Sequence, residues 1–141
     1  MHAPGDRGHA IRAHPADVVI EAWAPSAAAC YEEAAAAFAE LFVDTRHGPP
    51  GSPEPFDVGP GSPEVLLVLL LEEMLFRADA RGHVPIAAAV EVRGDHLVGR
   101  FTILPVEQAR GAGAIPKGVS HSGLEFARTG DHWHSRAIVD V

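Results

Sequence analysis

The chain is poor in cysteine, in lysine and in long apolar runs, and each shortage removes a class of protein. One cysteine, Cys30, leaves no internal disulfide to form. No basic stretch followed by an apolar segment and a cleavage site opens the sequence, so the expected location is the cytoplasm. The longest apolar run, Val65 to Leu71, falls far short of the roughly 20 residues that span a bilayer, and Glu72 and Glu73 follow at once. Positive charge is scarce as well: 11 basic residues stand against 19 acidic ones, a formal net charge of -8, and the arginines are scattered. A protein that grips RNA or DNA by its phosphates shows the opposite balance, so strong direct nucleic-acid binding is not expected. The nine histidines are dispersed along the chain.

What is present suits one globular domain. At 141 residues and 47% hydrophobic, the chain can bury a core without staples. Residues 1–10 read as a frayed, polar terminus. A strand is expected from Ile11 to Trp23, stopped by Ala24-Pro25. Ser26 is placed to cap a helix over Ala27 to Val43, with Glu32 and Glu33 in its early turns and Tyr31, Ala34, Ala35, Phe38, Leu41 and Phe42 on its buried stripe. Residues 44–63 hold six prolines and four glycines. They read as a flexible loop through which neither helix nor ladder propagates.

Order restarts at Ser62-Pro63-Glu64, an N-cap followed by a first-turn proline and a carboxylate. The helix it opens is predicted to run from Pro63 to Arg81 and to stop at Gly82; its apolar front half implies burial against a sheet. Pro85 to Val92 and His96 to Leu104 flank Arg93-Gly94-Asp95 as a hairpin. A Gly-rich loop, Arg110 to Ala114, precedes two more strands, Val119 to Arg128 and His132 to Val141. The expected class is α+β, a mixed or antiparallel sheet packed with two helices.

Asp17 heads an apolar strand, where burial without a partner would cost several kcal/mol. Taken alone it could sit at a solvated strand edge or accept a local backbone N–H. At the other end, Asp140 is followed by Val141, which puts two carboxylates within a residue of each other. Such neighbours repel unless a cation stands between them, and oxygen-only ligands suit a hard ion such as calcium or magnesium; a hydrated tail is the alternative. Lys117, the only lysine, is held between Pro116 and Gly118 and is either a solvated surface group or a cation for carboxylates or phosphate.

Other combinations lead nowhere specific. His132 and His134 share a strand face but have no nearby Cys or acid to complete a zinc site, and read as exposed strand residues. Ser120 and His121 lack an orienting acid and a nucleophile-elbow turn. Gly111 and Gly113 are not followed by Gly-Lys-Ser/Thr, so no phosphate loop forms. Glu72 and Glu73 diverge by about 100 degrees on a helix and are not an acid/base pair. Cys30 is expected in the core of an Ala-rich helix.

Four segments in order, "HPADV", "LLVLLLEEMLF", "KGVSHSGL" and "HWHSRAIVDV", resemble the archease family over residues 11–141. The resemblance implies a sheet with two helices and a non-enzymatic protein that assists a GTP-dependent RNA-splicing ligase in tRNA processing, promoting its guanylylation and multiple turnover. It also implies a divalent metal site, expected to hold calcium, formed by Asp17, Asp140 and the main-chain oxygen of Val141. Lys117 matches the family's functional lysine, and Glu73 the acidic position of the helix motif. A metal-stabilised chaperone or scaffold is the alternative. Two departures stand out: Pro15 replaces the family's usual threonine, and Ser120-His121-Ser122 replaces Thr-Tyr-His, so no role is carried to His121 or Ser122.

Overall fold

The computed structural model describes residues 3–13, 17–41, 43–44, 50–109 and 116–141. Among the described residues, eight strands and two α-helices follow one another as β1 (Gly8–Ala13), β2 (Asp17–Ala24), α1 (Ala27–Glu40), β3 (Ser52–Val58), α2 (Pro63–Arg81), β4 (His83–Arg93), β5 (His96–Pro105), β6 (Gly118–Val119), β7 (Glu125–Thr129) and β8 (His132–Asp140). They form two antiparallel sheets. One is ordered β1-β2-β8-β6, with β7 also on β8; the other is β3-β5-β4. The α+β expectation holds, with two sheets where one was expected.

The N-terminal reading needs two corrections. Residues 8–10 belong to β1, and the strand expected over Ile11 to Trp23 is a β1–β2 pair in antiparallel register, Gly8 opposite Trp23 and Ala13 opposite Val18. The pairing has a physical basis in α1. Arg7 Nε donates to Glu33 at 2.6 Å, and His9 lies 2.9 Å from Glu33 and 3.1 Å from Glu40. Glu32 likewise leaves the helix dipole aside and accepts the Val90 N–H of β4 at 2.9 Å. These glutamates tie α1 to a strand of each sheet.

The Pro/Gly-rich stretch 44–63 also needs correcting, because Ser52–Val58 pairs with β5 from Ser52↔Ile103 to Val58↔Leu97. Proline removes a ladder donor, but β3 is an edge strand with a partner on one side only. Pro53 and Pro55 are two residues apart, so their missing donors lie on the same edge and need not interrupt the ladder.

α1 is capped as expected, Ser26 Oγ accepting from Ala29 N at 3.1 Å, but ends at Glu40 as its last turn tightens, Leu41 N donating to Phe38 O at 3.1 Å. Phe42, Pro15 and the Arg110 to Ala114 loop lie outside the described residues. α2 has the expected bounds. Ser62 caps Val65 N, Pro63 opens the first turn, and Gly82 ends the helix at φ 67°, a left-handed backbone that suits glycine. Gly94, at φ 62°, makes the β4–β5 turn in the same way.

α2 packs against strands of both sheets and buries Leu66, Leu67, Leu70, Leu71 and Met74, each contributing about 1.5–3 kcal/mol of transfer free energy. Stacked rings close the core, Tyr31 on Phe126 with centroids 4.0 Å apart and Phe56 on Phe101 at 4.3 Å. None of the described helices is long and apolar enough to cross a membrane.

Candidate functional site

β2 and β8 bring the two ends of the chain together. Their antiparallel register runs from Ala24↔Trp133 to Asp17↔Asp140, so the two aspartates are directly opposed and point to the same sheet face. The register follows from hydrophobic patterning. Ile20, Ala22, Ala137 and Val139 alternate into the core, and a one-residue slip would turn all of them outward. Burying the apolar face therefore fixes the acidic pair on the other.

β6 completes the edge on the far side of β8. Gly118 is the register partner of Asp140, and the Lys117 N–H donates to the Asp140 carbonyl at 2.7 Å. Ser120 N–H continues the pairing onto Ile138 O at 2.8 Å. Asp140 is thus flanked by Asp17 on one side and by the Lys117-Gly118 backbone on the other. Buried Pro116 anchors this segment, and Lys117 is exposed beside it. An open depression of about 440 Å³ lies here, lined by Asp17, Gly118, Val119, Ser120, Ser122, Ile138 and Asp140.

Like charges at directly opposed strand positions repel, a repulsion that a cation or a hydrogen-bond donor at the pair would offset. The available donors are oxygens, the two carboxylates and main-chain carbonyls, which suit a hard cation rather than a thiolate- or imidazole-seeking one. Among the described residues no group of three or more His, Cys, Asp or Glu forms a metal cluster. A cation here would rest on two side chains, with the main chain and water supplying the rest of its shell.

Asp17, Asp140 and the Lys117 segment therefore converge, with partly buried Val141 following directly. Glu73 is not among the residues lining the depression. Its carboxylate accepts from Arg77 Nε at 2.8 Å, while Arg77 Nη1 reaches Glu54 and the Pro55 carbonyl, each at 2.9 Å. Arg77 is 6% exposed and its guanidinium carbon stands 4.9 Å from the Phe101 ring centroid. Glu73 thus belongs to an ion cluster tying α2 to β3.

Glu72, one residue earlier, faces the loop at the depression. It lies 3.1 Å from His121 Nε2, and the neighbouring serines hold the loop's shape, Ser122 N donating to Ser120 Oγ at 3.2 Å. Sequence reasoning gave Ser120, Ser122 and Ile138 no place in the site. For Ile138 a signal existed, since it is two residues from Asp140 and must share its face.

Of two further expectations, one is overturned and one holds. His132 is buried rather than exposed, bonded to Asp131 at 2.9 Å and to the Asp6 carbonyl at 2.9 Å. The bond to Asp131 raises its pKa. Cys30 is a core residue as read. Burial raises its thiol pKa to about 11, which keeps it protonated and unreactive.

Two antiparallel sheets packed with two helices, with an acidic pair where the terminal strands meet, define a small α+β protein with an oxygen-rich edge. The archease protein family model matches residues 10–141, and the chain belongs to that family. A Mycobacterium tuberculosis protein described as "Probable protein archease" is 28% identical over 134 residues, spanning 95% of this chain and 75% of its own. The solution structure of protein 1598 from Methanobacterium thermoautotrophicum shares the fold at a TM-score of 0.78 and 21% identity, covering 95% of this chain and 99% of that one. A Thermotoga maritima archease, described as a "possible chaperone", aligns at a TM-score of 0.65 and 19% identity over 91% of this chain and 93% of its own.

Proposed function

We propose that this archease activates a GTP-dependent RNA-splicing ligase, promoting its guanylylation and repeated turnover in tRNA processing, and performs no covalent chemistry itself. The observation that carries the reading is the Asp17↔Asp140 register beside Lys117. The fold joins residues far apart in the sequence at one acidic edge, where opposed carboxylates suit a cation or a basic partner.

In this reading Asp17, Asp140 and the main-chain oxygen of Val141 hold a hard divalent ion, calcium being the one expected. The bound ion would neutralise the pair and stiffen the β2–β8–β6 edge. Lys117 supplies a point charge next to it, suited to a phosphate or to a carboxylate of the ligase. Glu73 acts through the placement of α2, and Glu72 with His121 shapes the rim. The net charge of -8 favours a basic protein surface over RNA itself, which fits contact near the ligase's RNA-binding mouth in the cytoplasm.

The test mixes the chain with a purified ligase and GTP and follows ligase-GMP formation. Wild-type protein should accelerate it, whereas Asp17→Ala and Lys117→Ala should not. No stimulation by the wild type removes the reading. A chaperone role, the word used of the Thermotoga relative, or a scaffold role would instead appear as client binding that survives Asp17→Ala.

A further inference from the structure

α2 is a core helix whose outward face carries apolar residues among its charged ones. Val65 is 42% and Phe76 50% exposed, and partly buried Leu69 lies on the same face at helical spacing. Glu72 sits between Leu69 and Phe76 on this stripe, and exposed Asp79 follows one turn beyond Phe76. Arg81 stands against the ring, its guanidinium carbon 5.5 Å from the Phe76 centroid. A half-exposed phenylalanine flanked by carboxylates has no evident folding role, because the opposite face of the helix already supplies the core.

The stripe is also continuous with the acidic depression. Glu72 meets His121 at 3.1 Å, and His121 lies between Ser120 and Ser122, both of which line it. From Asp17 and Asp140 across this loop to Glu72 and Phe76, the surface carries negative charge first and an aromatic anchor beyond it. A second copy of the chain is a poor occupant, since each copy carries a net charge of -8. Charge complementarity calls for a basic segment, and the exposed ring for an apolar side chain within it.

We propose that Leu69, Glu72 and Phe76 on the outer face of α2 form a docking surface for a basic segment of the protein partner that carries an apolar anchor residue, next to the Asp17–Asp140 depression. The surface rests on the reading of the chain as a ligase activator: it captures the ligase, and the aspartate–lysine edge activates it. The two jobs are separable by experiment.

Two measurements use the purified ligase: its direct affinity for the chain by biolayer interferometry, and the chain concentration giving half-maximal ligase-GMP formation. Phe76→Ala should weaken both by about tenfold while leaving the maximal stimulation intact, and Glu72→Lys should weaken the affinity by about tenfold. Asp17→Ala should instead abolish the maximum and change the affinity much less. Raising salt should weaken wild-type binding more than that of Glu72→Lys, as screening predicts.

Phe76→Ala binding and titrating like wild type overturns the docking surface, as does wild-type protein that binds no ligase. Phe76-dependent self-association in the ultracentrifuge also overturns it, by making a second copy the occupant. Wild-type binding without stimulation, weakened by Phe76→Ala, upholds the surface and removes the activator reading alone.

Discussion

Replacing Arg77 with methionine tests whether the ion cluster beneath α2 is structural. The guanidinium donates to Glu73, Glu54 and the Pro55 carbonyl, its side chain 7% exposed. Removing one partner of a buried ion pair costs about 3–5 kcal/mol, because the other charge is left uncompensated. Here Glu54 and Glu73 keep 19% and 27% of their side-chain surface in water, so hydration recovers part of the loss. The lower end applies, about 3 kcal/mol, with methionine retaining the apolar stem over Phe101. At roughly 2–4 °C per kcal/mol for a domain of this size, Tm should fall by roughly 6–12 °C in scanning calorimetry. Arg12→Met is the control: Arg12 and Glu21 pair at 2.9 Å with side chains 63% and 37% exposed, and such pairs contribute about 1 kcal/mol or less. Equal Tm losses for the two variants would refute the reasoning.

Calcium should raise the wild-type Tm in differential scanning fluorimetry, by about 2.7 kcal/mol of stabilisation at a hundredfold excess over Kd, and Asp17→Asn should lose that shift. In EDTA the calcium-dependent shift should vanish from wild type as well; an equal calcium shift in wild type and variant would argue against the site. His9 supplies a pH signature. Burial lowers its pKa, but hydrogen bonds and charges of Glu33 and Glu40 outweigh that and leave it above the ordinary 6.5. The folded state therefore holds this proton more tightly, so the contribution is full below the unfolded pKa and is lost as pH rises through the raised folded value. Urea midpoints should show His9→Asn less stable than wild type at pH 6 and the gap closing by pH 8.5; a constant gap contradicts the assignment.

Elements whose signals are local were legible in the sequence. Ser62, Pro63 and Gly82 mark α2 to the residue, and Gly94 marks the hairpin, because caps and left-handed turns depend on a few adjacent residues. β3 was not legible, since proline content argues for a loop and only the third dimension reveals that Ser52–Val58 is an edge needing donors on one side. The glutamates of α1 show the same limit: spacing places them near the helix start, but their partners Arg7, His9 and Val90 come from segments distant in sequence. Asp17 and Asp140 could be singled out as isolated acids. Their juxtaposition came from family resemblance, because antiparallel pairing of the chain's two ends leaves no local trace. Between the adjacent glutamates of α2, one helical step decides that Glu73 turns to Arg77 and Glu72 to the rim.

The most direct measurement is an anomalous difference map from crystals grown with calcium. A single peak between the strands, with carboxylate oxygens of Asp17 and Asp140 at roughly 2.3–2.6 Å from it, is the predicted result. Saturating calcium with no peak between these two residues would contradict the account.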